Sequence, residues 1–144
     1  MMSAARLWDT ISTARMIDYL LTHDLKNLPH PPQWEDGSGL SRYNLFTPRD
    51  FVSVLTLMRE KFSEERLWNI LPTGGKGTLK NYYQQHFVHA KTGTLTGVVA
   101  LSGYLLTKKN KTLVFSVLVN NHHESATNVR RAVERFLTMI WKNY

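Results

Sequence analysis

Four consecutive residues, Lys91, Thr92, Gly93 and Thr94, place a cation, two hydroxyls and a position without a side chain next to one another. They lie in "HFVHAKTGTLTGVVALSGYLL", from His86 to Leu106. On an extended strand side chains alternate, so Lys91 and Gly93 share one face and Ala90 and Thr92 the other. An ammonium supplies charge, the hydroxyls supply directed hydrogen bonds, and glycine lets a ligand backbone come close, a combination suited to a carboxylate. The same tripeptide also suits a strand-end lysine reaching water beside a glycine bulge, and by itself it does not separate the two. The surrounding run is apolar enough to read as the buried centre of a sheet, a poor place for a purely structural ammonium.

Other candidate sites are weaker. "NNHHE", Asn120 to Glu124, sets His122, His123 and Glu124 side by side, but adjacent residues point in different directions and match no recurrent ligand spacing. "LPTGGKGT" lacks the four residues between glycines, and the Lys directly before Ser or Thr, that a phosphate-binding loop requires. Asp36 in "DGSG" is first a turn residue whose carboxylate bonds local backbone N–H groups. His86 and His89 read as edge or packing residues. The aromatics Trp8, Trp34, Phe51, Phe62, Trp68 and Trp141 read as core or domain-contact residues. With no cysteine there are no disulfides and no thiolate metal sites. No metal and no cofactor is expected. The formal charge of +7 suits an anionic partner, yet its lysines and arginines are scattered apart from "TKKNK" and "RR". The lysines read as a solvated hairpin tip, and no nucleic-acid-binding signature accompanies them.

The elements that must position Lys91 follow from periodicity. Residues 3–23 read as a helix with Leu7, Ile11, Ala14, Ile17 and Leu21 on one face. "KNLPHPPQWEDGSG" holds three prolines and two glycines and reads as an irregular connection. Thr47, Pro48 and Asp50 announce a second helix with a wide apolar face, buried on more than one side. A short helix covers residues 63–71. Strands then follow over 86–91, 98–107 and 111–120, joined by short connections that favour antiparallel pairing, with both faces of the last two covered. A closing helix begins at Ser125 or Thr127. Its apolar stripe is Val129, Ala132, Val133, Phe136, Leu137 and Ile140, with Arg130, Arg131, Glu134 and Arg135 facing away. The 144 residues are long enough for one domain with a real core, and the order of elements is that of an α+β layer fold. No run approaches the roughly 18 apolar residues of a membrane-spanning helix, and the first residues do not read as a signal peptide.

"HAKTGTLTGVVALSGYL" resembles the third motif, Lys-Thr-Gly, of the penicillin-interacting serine enzymes. "DGSGLSRYNLFTP", Asp36 to Pro48, and "ILPTGGKGTL" are similar to segments of one branch, the D-alanyl-D-alanine carboxypeptidase/endopeptidase family related to penicillin-binding protein 4. The three matches keep that family's order from Asp36 to about Tyr104. The resemblance implies a β-lactamase/transpeptidase-like fold, here a partial antiparallel sheet of about three strands packed with N-terminal helices and a C-terminal helix. It implies cleavage of the bond between two D-alanines of a peptidoglycan stem peptide by a serine, through an acyl-enzyme. Lys91 would position the terminal carboxylate and tune proton movement, and Thr92 would hydrogen-bond that carboxylate or the one of a β-lactam. The Thr94 N–H would form half of the oxyanion hole, and the strand edge would pair with the substrate backbone. Periplasmic or extracytoplasmic location follows from the same resemblance.

Two of the family's motifs are absent. No serine of the chain is followed three residues later by lysine, and there is no Ser-x-Asn; "SRYN" has one residue too many. The expectation is therefore a single, incomplete C-terminal portion of a transpeptidase-like domain, inactive by itself, whose partner is the missing N-terminal portion of the same enzyme. An alternative is a non-catalytic module that binds stem peptides or β-lactams, and another is a basic scaffold unrelated to cell walls. With two of the family's five strands missing, an exposed sheet edge and apolar helical face invite pairing, so a homodimer is expected.

Overall fold

The computed structural model describes residues 12–144, so residues 3–11 of the first expected helix, with Leu7, Trp8 and Ile11, lie outside the described residues. The chain divides into two units between Val54 and Leu55.

In the first unit Ser12 caps helix α1, Thr13–Thr22, by accepting the Arg15 N–H at 3.3 Å. The proline-rich connection that follows closes on itself through a bridge between Gln33 and Leu45. Asn44 Oδ1 accepts the N–H groups of Glu35 and Asp36, and Asp36 Oδ1 accepts both the N–H and the hydroxyl of Ser38. Asp36 is thus the turn-former that its Asp-Gly context suggests, and the Ser38 bonds hold its carboxyl below the usual carboxylate range. Helix α2, Pro48–Lys61, whose residues from Leu55 onward count with the second unit, starts with a reciprocal cap. Thr47 Oγ1 accepts the Asp50 N–H, and the buried Asp50 carboxylate accepts the Thr47 N–H at 2.7 Å. Among the hydrophobic residues of this helix only Leu55 is fully buried, so its wide apolar face is half-covered, short of the burial on more than one side that its composition suggests.

In the second unit Ser63 caps helix α3, Glu64–Ile70, and a 3-10 turn follows at Gly77–Leu79. Strands β1, Val88–Leu95, β2, Val98–Leu106, and β3, Thr112–Asn120, form one antiparallel sheet in the order β1-β2-β3. The register puts Lys91 opposite Ser102, and Ser102 opposite Ser116, whose hydroxyls bond at 2.8 Å. Ser125 caps helix α4, Ala126–Asn143. The first strand begins two residues later than its apolar pattern suggests, because His86 takes a left-handed φ of 58°, and it continues through Thr94 to Leu95.

The period of two sorts the sheet into two faces, each with its own cluster. On one, Val88, Ala90, Leu101 and Leu105 pack with Leu79, Tyr83 and Phe87 and with Val133 and Leu137 of α4. On the other, Tyr104 packs with Leu55 and Leu67, joined by Met58, Trp68 and Val114, and its hydroxyl donates to the Leu55 carbonyl at 2.7 Å. Each buried leucine contributes roughly 1.5–3 kcal/mol. β1 and β2 approach closely where Gly103 faces Ala90: a Cβ on Gly103 would lie 2.1 Å from the His89 carbonyl oxygen. The closing helix departs from its expected stripe in two ways. Phe136 is 50% exposed, and Glu134, expected outside, turns in to accept the Tyr83 N–H at 2.7 Å. A buried backbone N–H needs an acceptor, and that need outweighs the helix pattern at Glu134.

Candidate functional site

Lys91 does not sit at the centre of the sheet. Among the strands of the described residues its strand lies at an edge, with β2 as its one strand neighbour. On the other side the first half of β1 is covered by the segment after α3: the Ala90 N–H donates to the Pro72 carbonyl at 3.0 Å, and Thr73 bridges to His89. Backbone groups alternate along an antiparallel strand, so the N–H and C=O of Thr92 and Thr94 face the same way as those of Ala90. From Thr92 onward no named strand or bridge of the described residues occupies that edge.

The Lys91 side chain is exposed, which corrects the buried setting suggested by its apolar neighbours. Its ammonium donates to the Thr92 carbonyl at 2.7 Å, an oxygen on the open edge. The cation is therefore held beside the edge. Gly93 follows on the same face, where an added Cβ would come within 3.2 Å of the Ala100 Cβ. Absence of a side chain at this position thus serves the cross-strand packing as well as the open space next to the amine.

The other face of β1 carries the hydroxyls. Thr94 Oγ1 accepts a hydrogen bond from the Arg130 guanidinium on α4. Thr92 lines a hollow together with Thr78, Tyr82, Arg130, Leu101 and Val133. Arg130 was not among the residues that the sequence marks out, since it reads as part of the outer face of the helix. A signal was nonetheless present. Arg130 lies three residues before Val133, and Glu134 four after Arg130, so both border the apolar stripe and can reach inward.

The remaining candidates lie elsewhere or do other work. His89 stacks on Trp68, ring centroids 4.5 Å apart. Its Nδ1 is buried without a hydrogen-bond partner among the described residues, and burial pulls its pKa down against the opposing pull of the Trp68 and Leu71 carbonyls. In the glycine-rich loop the N–H groups of Gly75 and Lys76 donate to the carbonyls of Leu79 and Thr73, so these donors turn inward. His122 Nδ1 bonds the Glu124 carbonyl. Among the described residues no three His, Cys, Asp or Glu side chains group as a metal site, and no helix is long and apolar enough to cross a membrane.

Comparison with known proteins finds relatives of both the sequence and the fold. The sequence profile of the D-Ala-D-Ala carboxypeptidase 3 (S13) family matches residues 32–140. A D-alanyl-D-alanine carboxypeptidase of Actinomadura sp. is 38% identical over 97 residues, covering 60% of this chain and 18% of its own. The D-alanyl-D-alanine carboxypeptidase DacB of Haemophilus influenzae is 32% identical over 94 residues, covering 60% of this chain and 20% of its own. Among solved structures, penicillin binding protein 4 of Haemophilus influenzae, complexed with a β-lactam, superposes with a TM-score of 0.80 at 21% identity. That match covers 96% of this chain and 36% of the other. A predatory endopeptidase of Bdellovibrio bacteriovorus, in complex with an immunity protein, superposes with a TM-score of 0.75 at 19% identity, over 93% of this chain and 37% of that one. The chain spans about a fifth of the length of the curated relatives it matches. The fold is that of penicillin binding protein 4, a partial α+β transpeptidase-like arrangement.

Proposed function

The chain belongs to the D-Ala-D-Ala carboxypeptidase 3 (S13) family, and from that premise we propose that it supplies the substrate-binding side of a serine-type D-Ala-D-Ala carboxypeptidase/endopeptidase acting on peptidoglycan stem peptides. A stem peptide lies along the open edge of β1 and pairs with the backbone of Thr92 and Thr94. Lys91 holds and orients its terminal carboxylate, Thr92 donates its hydroxyl to the same group, and Gly93 keeps the approach open. The Thr94 N–H faces the scissile carbonyl as one donor of an oxyanion hole, where charge develops in the transition state. Serine needs a base to take its proton before it attacks. The 144 residues hold no serine with lysine three positions on, so in this reading the nucleophile comes from polypeptide outside them, and the chain alone is inactive. The enzyme works in an extracytoplasmic compartment, where its substrate is.

One observation carries the reading: the Lys91 ammonium, 2.7 Å from the Thr92 carbonyl, is held against a strand edge that no named strand or bridge of the described residues covers from Thr92 onward. Titrating a D-Ala-D-Ala peptide into the chain tests it by chemical-shift perturbation. Binding in the millimolar range or tighter is expected, about −4 kcal/mol, centred on residues 91–94 and weakened in Lys91→Ala. Binding that ignores Lys91, or shifts elsewhere, counts against it. A binding module without catalysis shares this geometry. It is separated by mixing the chain with the Ser-x-x-Lys portion of a relative and a fluorescent penicillin, since only the enzymatic reading expects a covalent band. Light scattering at high concentration checks whether the open edge pairs with a second copy.

A further inference from the structure

The hollow on the α4 side of β1 holds a cation that the reading above does not use. Arg130 touches Thr94 Oγ1 and has no carboxylate partner among the described residues. Glu134, four residues on, is committed to the Tyr83 N–H and to Arg131 at 2.6 Å. None of the residues lining the hollow is acidic. A guanidinium has five N–H donors, so one bond to a threonine leaves most of its capacity open. Arg130 is the fifth residue of α4, next to the positive end of the helix dipole, where a cation gains no stability. The Thr94 bond accounts for the direction of the side chain and leaves its charge unanswered.

Lys91 approaches the same stretch from the opposite face. Its ammonium reaches the open edge from one face of β1, and Arg130 reaches Thr94 from the other. The stretch from Thr92 to Thr94 is bracketed by two cations, and among the described residues no carboxylate pairs with either. An anion laid along this edge meets charge from both sides, and the planar fork of arginine matches a carboxylate in particular.

We propose that Arg130 is a second carboxylate anchor, which makes the β1 edge selective for peptides ending in a free carboxylate. The inference rests on the substrate-binding reading and adds to it a specificity-determining residue on α4. Thr94 holds the guanidinium in place through its hydroxyl while its N–H stays on the edge.

The test compares a D-Ala-D-Ala peptide acid with its C-terminal amide, titrated into the full chain and followed by chemical shift. The unaltered chain is expected to favour the acid by about tenfold or more. In Arg130→Gln the acid loses about tenfold while the amide is unchanged, and Arg130→Lys recovers part of the preference. Arg130→Lys also serves should the glutamine variant not fold, since it keeps the charge and loses the fork; an intermediate preference is then expected. An acid-to-amide ratio unaltered in either variant overturns the proposal, as does an equal loss for both peptides. Lys91→Ala separates the two levels: if it leaves binding unchanged, the substrate-binding reading fails, whereas an unchanged Arg130 variant alone removes only this inference. No binding of the acid by the unaltered chain overturns both.

Discussion

Replacing Gly103 by alanine tests the packing that holds Lys91 in place. A Cβ at this position would lie 2.1 Å from the His89 carbonyl oxygen and 2.6 Å from the Ala90 Cα, more than an ångström inside ordinary van der Waals contact. Both atoms belong to backbone, so neither can rotate away. β1 must retreat from β2 at Ala90, and overpacking of this kind costs about 1–3 kcal/mol. Losing one or two ladder hydrogen bonds adds about 1 kcal/mol each. Against this, alanine reduces the freedom of the unfolded chain and returns roughly 0.4–1 kcal/mol. The net expectation is a loss of about 2–4 kcal/mol. With a urea dependence of about 2 kcal/mol/M, the midpoint falls by roughly 1–2 M. Gly93→Ala is the internal comparison, because its Cβ meets only the Ala100 Cβ at 3.2 Å, and a few tenths of an ångström of give limits the cost to about 1 kcal/mol. A Gly103→Ala midpoint within 0.3 M of the original, or a Gly93→Ala effect larger than it, would refute the close-approach account.

Asp50→Ala leaves the N–H groups of Thr47 and His30 without their acceptor, an expected loss of about 2–4 kcal/mol in urea unfolding. Burial raises the Asp50 pKa, yet the Thr47 and His30 hydrogen bonds outweigh it and the net shift is downward. Its stabilising effect is therefore complete above the ordinary carboxylate pKa of about 3.9 and disappears as pH falls through the lowered value; Asp50→Ala should flatten that part of the acid-unfolding profile. His89 has a lowered pKa in the folded chain, chiefly from burial. The unfolded chain takes up its proton first, so stability declines as pH falls below about 6.5, and His89→Phe should remove that decline while retaining the stack on Trp68. Glu134→Ala strips the Tyr83 N–H of its acceptor and Arg131 of its partner, costing about 1–3 kcal/mol by thermal or urea unfolding.

The elements of this chain were legible where one local signal dominates. Thr47 and Asp50 three residues apart announce the cap that forms, Ser63 and Ser125 open their helices, and the change from a period of 3.6 to a period of 2 marks the sheet. The neighbourhood of Lys91 was legible as a motif, though not as geometry. An apolar run looks the same on an edge strand as on a central one, because burial of the two faces says nothing about who pairs with the backbone. Arg130 and Glu134 were missed for a related reason. Their inward turn is dictated by Thr94 and by the Tyr83 N–H, both distant in sequence, and helical periodicity carries no record of such partners.

The bond from the Lys91 amine to the carbonyl of the very next residue also bears on the binding proposed at this edge. The amine is directed before any guest arrives, with one of its three protons held by a neutral dipole and two left for an incoming group. A neutral oxygen arriving there would replace a water dipole by a similar one and gain little. A full negative charge would make the stronger bond, so on the substrate-binding proposal the tether would favour charged guests ahead of any discrimination by shape.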